Sequence, residues 1–237
     1  VAIITGAAMG MGRATAELFA IHGAKVVVTD FNTLVGQEVV DSIMANGGTA
    51  AFVQVDISDS KQVQAMVEFT VDTFGHLDIA VNNAALKPDN NSFQDLDEEY
   101  WDRLQAVDLK GTALCMKYEL RQLVAQGRGG SIVNISSINA FKPTDDNPAY
   151  QAFKHGVEGV TKAADFEYGS KGIRIHSVAP GAIRTPMLAT ALKSLGLTEA
   201  DVIPSMSLLG RLGEPHEVAQ GSLFLSSDDA SYVHGTV

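Results

Sequence analysis

Tyr150 and Lys154 lie four residues apart at the start of an amphipathic stretch, a spacing that makes them neighbours on one helix face. An ammonium beside a phenol favours the phenolate and draws its pKa down from ~10 toward neutrality. A tyrosine so placed can take a proton from an alcohol or give one to a carbonyl. Thirteen residues earlier, just past a short apolar run, comes Ser137, whose hydroxyl could hydrogen-bond the reacting oxygen. Ser136 competes for that role, and spacing does not separate the two. A solitary Tyr-x-x-x-Lys is usually a solvated helix face, so the pair needs support from elsewhere in the chain.

That support begins at Thr5-Gly6-Ala7-Ala8-Met9-Gly10-Met11-Gly12, which ends the first apolar run and leads into a helical pattern. Glycine lets a backbone turn with positive φ and approach a ligand closely. The helix behind it presents unpaired N–H groups and a positive dipole end, a setting for a pyrophosphate. The second apolar run ends in Asp30, 18 residues past Gly12. A carboxylate there accepts the hydroxyls of an adenosine ribose and repels a 2′-phosphate. Met9 and Phe31 stand where a basic residue would serve that phosphate, so NAD(H) is expected over NADP(H). Asp56-Ile57 closes the third run, where a carboxylate suits the adenine amino group. Asn82-Asn83-Ala84-Ala85 closes the fourth, with small residues leaving room beside a ribose.

These residues all fall at the ends of strands. Runs at 1–5, 25–30, 51–56, 78–82, 131–135 and 173–178 are near-continuously apolar, and amphipathic stretches at 11–22, 35–46, 60–74, 100–125 and 149–170 alternate with them. Unbroken apolar strands imply cover on both faces. Alternating βα units of that kind predict an α/β fold with a doubly wound parallel sheet in three layers. Ligands of such sheets sit beyond the carboxyl ends of the strands, where the candidate residues lie. The 237 residues carry no repeat or low-complexity break, so one domain over 1–237 is expected. The net charge is −11, which disfavours nucleic acid or an acidic membrane surface as partner. No stretch approaches the ~18 apolar residues of a membrane-spanning helix. The single cysteine, Cys115, fits a reducing compartment such as the cytoplasm. His22, His76, His155, His176, His216 and His234 show no compact metal spacing, so no metal is expected.

Together these motifs resemble the short-chain dehydrogenase/reductase family in its simpler branch. Thr5 to Gly12 matches its glycine motif, Ser137 with Tyr150 and Lys154 its catalytic set, and Pro180-Gly181 with Thr185-Pro186-Met187 the segment after its sixth strand. Gly210 to Pro215 also reads as family. The resemblance implies reversible hydride transfer between NAD(H) and a secondary alcohol or ketone, chemistry that belongs to the cofactor. Ser137 would polarise the substrate oxygen and Tyr150 act as acid and base. Lys154 would hold the nicotinamide ribose and lower the tyrosine's pKa. Gly6, Gly10, Met11 and Gly12 would meet the pyrophosphate, Asp30 and Phe31 the adenosine, and Asp56, Ile57 and Asn83 the adenine and ribose. Pro180, Gly181, Ile183 and Thr185 would close over the nicotinamide, with residues 185–210 as a substrate lid. A homotetramer is implied, with the helices from Tyr100 and Ala149 at one interface. The family also continues past both ends of this sequence, the last residues entering a seventh strand.

Three positions depart from the family pattern. Asp108 replaces an asparagine, placing a carboxylate near Lys154 and predicting an enzyme still active with a pH optimum displaced toward alkaline. Ala85 replaces a glycine, and Phe153 a smaller residue before the lysine, which suggests helix packing. The competing class is an NAD(H)-binding sensor or scaffold without turnover. It would keep the glycine loop and lose the Ser–Tyr–Lys set, which is intact.

Overall fold

The computed structural model describes all 237 residues, the side chain of Ser205 excepted. The apolar runs form β1 (Ala2–Thr5), β2 (Lys25–Asp30), β3 (Thr49–Gln54), β4 (Ile79–Asn82), β5 (Gly130–Ile135) and β6 (Ile173–Val178). The helices are α1 (Gly10–Ile21), α2 (Thr33–Ala45), α3 (Ser60–Phe74), α4 (Glu98–Leu104), α5 (Thr112–Gln126), α6 (Pro148–Tyr168), α7 (Pro186–Leu195), α8 (Glu199–Met206) and α9 (Pro215–Ser226). All strand pairs are parallel, in the order β3-β2-β1-β4-β5-β6.

Alternation along β1 sends Ile3 to one face and Ala2 and Ile4 to the other. On the first face Ile3, Ile132 and Ile175 pack with Met66 of α3, Leu123 of α5 and Ala164 of α6. On the second, Ile4, Val28 and Val133 pack with Phe19 of α1, Val39 of α2 and Val218 of α9. Cover on both sides is why these strands read as unbroken apolar runs. The chain winds one way through β2 and β3 and the other way through β4 to β6. The switch point lies between β1 and β4, where sheets of this kind take their ligands beyond the carboxyl ends of the strands.

Two elements differ from expectation. The third strand spans Thr49–Gln54 rather than 51–56, because its register pairs Lys25 with Thr49 and Asp30 with Gln54. Asp56 therefore falls in the following turn, where its Oδ1 accepts from Ser58 N–H at 2.9 Å and Ser58 Oγ at 2.7 Å. The stretch 100–125 is not one α-helix. A π-helical turn over Gln105–Gly111 separates α4 from α5. Gly111 faces Ile57 so closely that a Cβ would stand 2.8 Å from Ile57 Cδ1. Asp108 lies in this turn, fully buried. Such wide turns often mark functional sites.

The lid segment carries α7 and α8. At its base Ile183 bridges Gly213, and Arg184 pairs with Glu199 and Glu214. At the free edge of β6, Ser177 N–H donates to Thr236 O at 2.9 Å. No strand forms there among the described residues, so the final segment joins the edge by this bond. No helix among the described residues is long and apolar enough to cross a membrane.

Candidate active site

The glycine loop leaves β1 through two left-handed residues, Gly6 (φ 62°) and Gly10 (φ 58°), a conformation that costs glycine little. A Cβ on Gly12 would lie 2.2 Å from Gly6 O and 2.5 Å from Asn83 Nδ2, so only glycine lets α1 start this close to the loop. Asn83 holds the arrangement: its Nδ2 donates to Thr5 O at 2.9 Å and Gly6 O at 3.1 Å. Its own N–H and that of Ala84 donate to Thr5 Oγ1. The side chain of Asn83 thus braces the loop with its amide nitrogen. Ile57 is buried in the core and offers a ligand little beyond its backbone.

The N-terminus of α1 differs from its neighbours. Asn32, Asp59, Asp97 and Thr185 each cap a helix through a side-chain oxygen. At α1, Met9 makes no side-chain cap, and the first turn, which includes Met11, holds no acid. Bare N–H groups and an uncompensated dipole end suit a pyrophosphate. Asp30 lies beside them, its Oδ2 accepting from Ala8 N–H at 3.0 Å and its Oδ1 from Asn32 N–H at 2.9 Å. Phe31, next to it, is largely exposed. Thr185 packs at the other side: the Cβ position of Gly10 lies 3.3 Å from Thr185 Cγ2. The residues present therefore fit a dinucleotide. Pro180, Gly181 and Ile183 lie on the loop after β6 that leads to Thr185.

The candidate acid–base residues converge from three elements. Beyond β5 the two serines separate: Ser136 Oγ donates to Lys154 O at 3.4 Å, whereas Ser137 Oγ accepts from Asn139 N–H at 3.1 Å. Ile138 N–H donates to Pro180 O at 3.0 Å, tying this loop to the one after β6. On α6, Lys154 is buried and its Nζ donates to Ile135 O at 3.1 Å. The same ammonium lies 5.4 Å from the ring centre of Tyr150 and 3.6 Å from Asp108 Oδ2. Asp108 Oδ1 accepts from Leu86 N–H at 2.9 Å, and Oδ2 has no hydrogen bond among the described residues. Burial pushes the Asp108 carboxyl up, against the Lys154 ammonium and the Leu86 amide, which lower it. Phe153 packs edge-on against Trp101, ring centres 4.8 Å apart, a packing role. His155 is exposed, and Cys115 is buried, its thiol pushed well up by desolvation.

One residue at this site escaped sequence reading. Asp89, in the β4–α4 connection, accepts from Ala149 N–H and Tyr150 N–H. No sequence signal pointed to it, because Asn147 stands at the usual capping position before Pro148.

A family model described as enoyl-(acyl carrier protein) reductase matches residues 6–237. A short-chain dehydrogenase/reductase of Aspergillus oryzae is 46% identical, over 99% of this chain and 90% of its own length. The chain belongs to the short-chain dehydrogenase/reductase family. A cyclohexanol dehydrogenase of Acinetobacter sp. is 45% identical, over 100% of this chain and 91% of its own. The crystal structure of levodione reductase superposes with a TM-score of 0.93 at 35% identity, covering 100% of this chain and 93% of that one. As a short-chain dehydrogenase/reductase the protein is an oxidoreductase that uses a nicotinamide cofactor.

Proposed function

We propose that the protein is an NAD(H)-dependent dehydrogenase/reductase interconverting a secondary, cyclic alcohol and its ketone. The observation that carries this reading is the buried Lys154 ammonium, held by Ile135 O and facing both Asp108 and the Tyr150 ring. The 45% identity to a cyclohexanol dehydrogenase supports the substrate class.

Tyr150 Oη takes the hydroxyl proton of the alcohol, and in the reverse direction gives it to the carbonyl oxygen. Ser137 Oγ donates a hydrogen bond to that oxygen, Ser136 being turned toward the backbone of α6. Lys154 holds the nicotinamide ribose and keeps a positive charge beside the phenol. The bound nicotinamide supplies the hydride acceptor or donor. Asp30 selects NAD(H), since a 2′-phosphate would meet its carboxylate with no basic side chain at Met9 or Phe31. The chain acts as one cofactor-binding domain, with residues 185–210 as lid over a hydrophobic substrate. The assembly is a homotetramer in the cytoplasm. An open groove of about 610 Å³ between α5 and α6, lined by Leu120, Val124 and Val160 together with the charged Lys117, Arg121, Glu167 and Lys171, supports one interface.

The test is a panel of cyclic and acyclic alcohols and ketones, followed by absorbance of the reduced nicotinamide. The expected result is turnover of cyclohexanol with NAD at an efficiency at least about tenfold above that with NADP. Equal efficiency would overturn the cofactor assignment. Tight NADH binding with no turnover across the panel would favour a sensor.

Asp108 yields a second expectation. In its ionised form a carboxylate at 3.6 Å offsets part of the ammonium's field. Asp108→Asn removes that charge and leaves Lys154 acting more fully on Tyr150. The kcat/KM profile of Asp108→Asn against pH should move toward acid relative to the parent's. A variant profile that overlays the parent's contradicts this role.

A further inference from the structure

The segment after β4 runs along the site and is pinned at three points. Leu86 N–H donates to Asp108 Oδ1 at 2.9 Å, Tyr100 Oη donates to Lys87 O at 2.7 Å, and Asp89 reaches α6. At the last point Asp89 Oδ2 accepts from Ala149 N–H at 3.1 Å and Oδ1 from Tyr150 N–H at 3.0 Å. Pro148 has no N–H to offer, so the two amides that Asp89 takes are the first donors of α6. Asn147, at the usual capping position, supplies no side-chain cap. Its Oδ1 accepts instead from Thr144 Oγ1 and Gln151 Nε2. The helix that carries Tyr150 is therefore capped by a carboxylate 60 residues upstream, from the segment holding Leu86.

We propose that Asp89 is a positioning residue: it caps α6 across the site and fixes Tyr150 relative to the Leu86–Asp89 segment. The proposal rests on the dehydrogenase reading above. A local cap would hold the helix equally well, but it would not tie the helix to this segment. The bidentate bond makes the tyrosine's backbone N–H one of the two anchors, so a shift of the segment moves the residue itself. Proton transfer needs the phenol within hydrogen-bond reach of the substrate oxygen, a demand that small displacements defeat.

The test compares wild type, Asp89→Ala, Asp89→Asn and Asp59→Ala, all assayed well below their melting temperatures. Asp59→Ala removes a two-amide cap of the same kind from α3. Asp89→Ala should lower kcat for cyclohexanol about tenfold with the KM for NAD unchanged. Asp89→Asn, which keeps one acceptor oxygen, should recover part of that loss. Asp59→Ala should leave kcat within about twofold. Equal losses in Asp89→Ala and Asp59→Ala, or none in either, would overturn the proposal. Amide hydrogen exchange provides an arm that needs no substrate: Ala149 and Tyr150 should exchange at least about tenfold faster in Asp89→Ala. Unchanged exchange at those two amides would also overturn the proposal. Wild type that turns over no alcohol, with the exchange arm positive, would instead contradict the dehydrogenase reading.

Discussion

Tyr150→Phe is expected to lower kcat about a thousandfold, roughly 4 kcal/mol of barrier, while NADH binds within about twofold of wild type. The change removes one oxygen and nothing else. The ring stays packed against the buried cluster of Leu104, Ala149 and Phe153, so α6 keeps its seat. Lys154 is a less informative target. Removing its ammonium leaves Asp108 fully buried without a counter-charge, which destabilises by about 3–5 kcal/mol in comparable pairs and confounds activity with folding. Single-turnover kinetics with Tyr150→Phe, alongside fluorescence titration of NADH, separates the chemical step from binding. A variant retaining more than about a tenth of wild-type kcat would remove Tyr150 from the proton transfer.

Glu119→Gln is expected to abolish a fall in stability that wild type shows as pH rises. Glu119 is fully buried under the sheet and its Oε2 accepts from Asn82 Nδ2 at 3.0 Å. Neither Glu119 Oε1 nor Asn82 Oδ1 has a partner among the described residues. Desolvation pushes the carboxyl from 4.5 up to about 8, the Asn82 bond opposing. Between those values the native state holds a proton that the unfolded chain releases. The Glu119 contribution is therefore full below pH 4.5 and is lost as pH rises through about 8. The decline amounts to about 4–5 kcal/mol at roughly 1.4 kcal/mol per pH unit. A glutamine carries no such proton and keeps an acceptor for Asn82, so the variant should lack this slope. His176 acts in the opposite sense. Its imidazole is held at about 4 by burial and by Arg174, so it removes stability as pH falls below 6.5. Urea unfolding of both proteins from pH 5 to 9 isolates the Glu119 share as their difference. Parallel curves would place a charged Glu119 in the native core.

The sheet was legible because β1, β2, β4, β5 and β6 are covered on both faces and so read as plain apolar runs. The edge strand β3 was misplaced by two residues, since its alanines and half-buried Phe52 give its ends no contrast. Helical periodicity ran from Tyr100 to Ala125 without a break because a π turn inserts its extra residue without changing residue type. The glycine loop, Asp30 and the Tyr150–Lys154 pair could be read from spacing, being local in sequence. Two features were invisible for the opposite reason. Ser136 and Ser137 part company only through a bond to the Lys154 carbonyl, 18 residues away. Asp89 meets its amides across 60 and 61 residues. Asp108 stood out as a departure from family pattern, yet its pairing with Lys154 comes from the π turn that presents it.

The proposed reaction passes a hydride between a carbinol carbon and a nicotinamide, with Tyr150 taking the proton. Cyclohexanol carrying deuterium on its carbinol carbon, incubated with NAD and the wild-type protein, tests it in one mass spectrum. The expected products are cyclohexanone and reduced cofactor one mass unit heavier than NADH. Unlabelled NADH, or labelled alcohol recovered intact with no reduced cofactor formed, would contradict it.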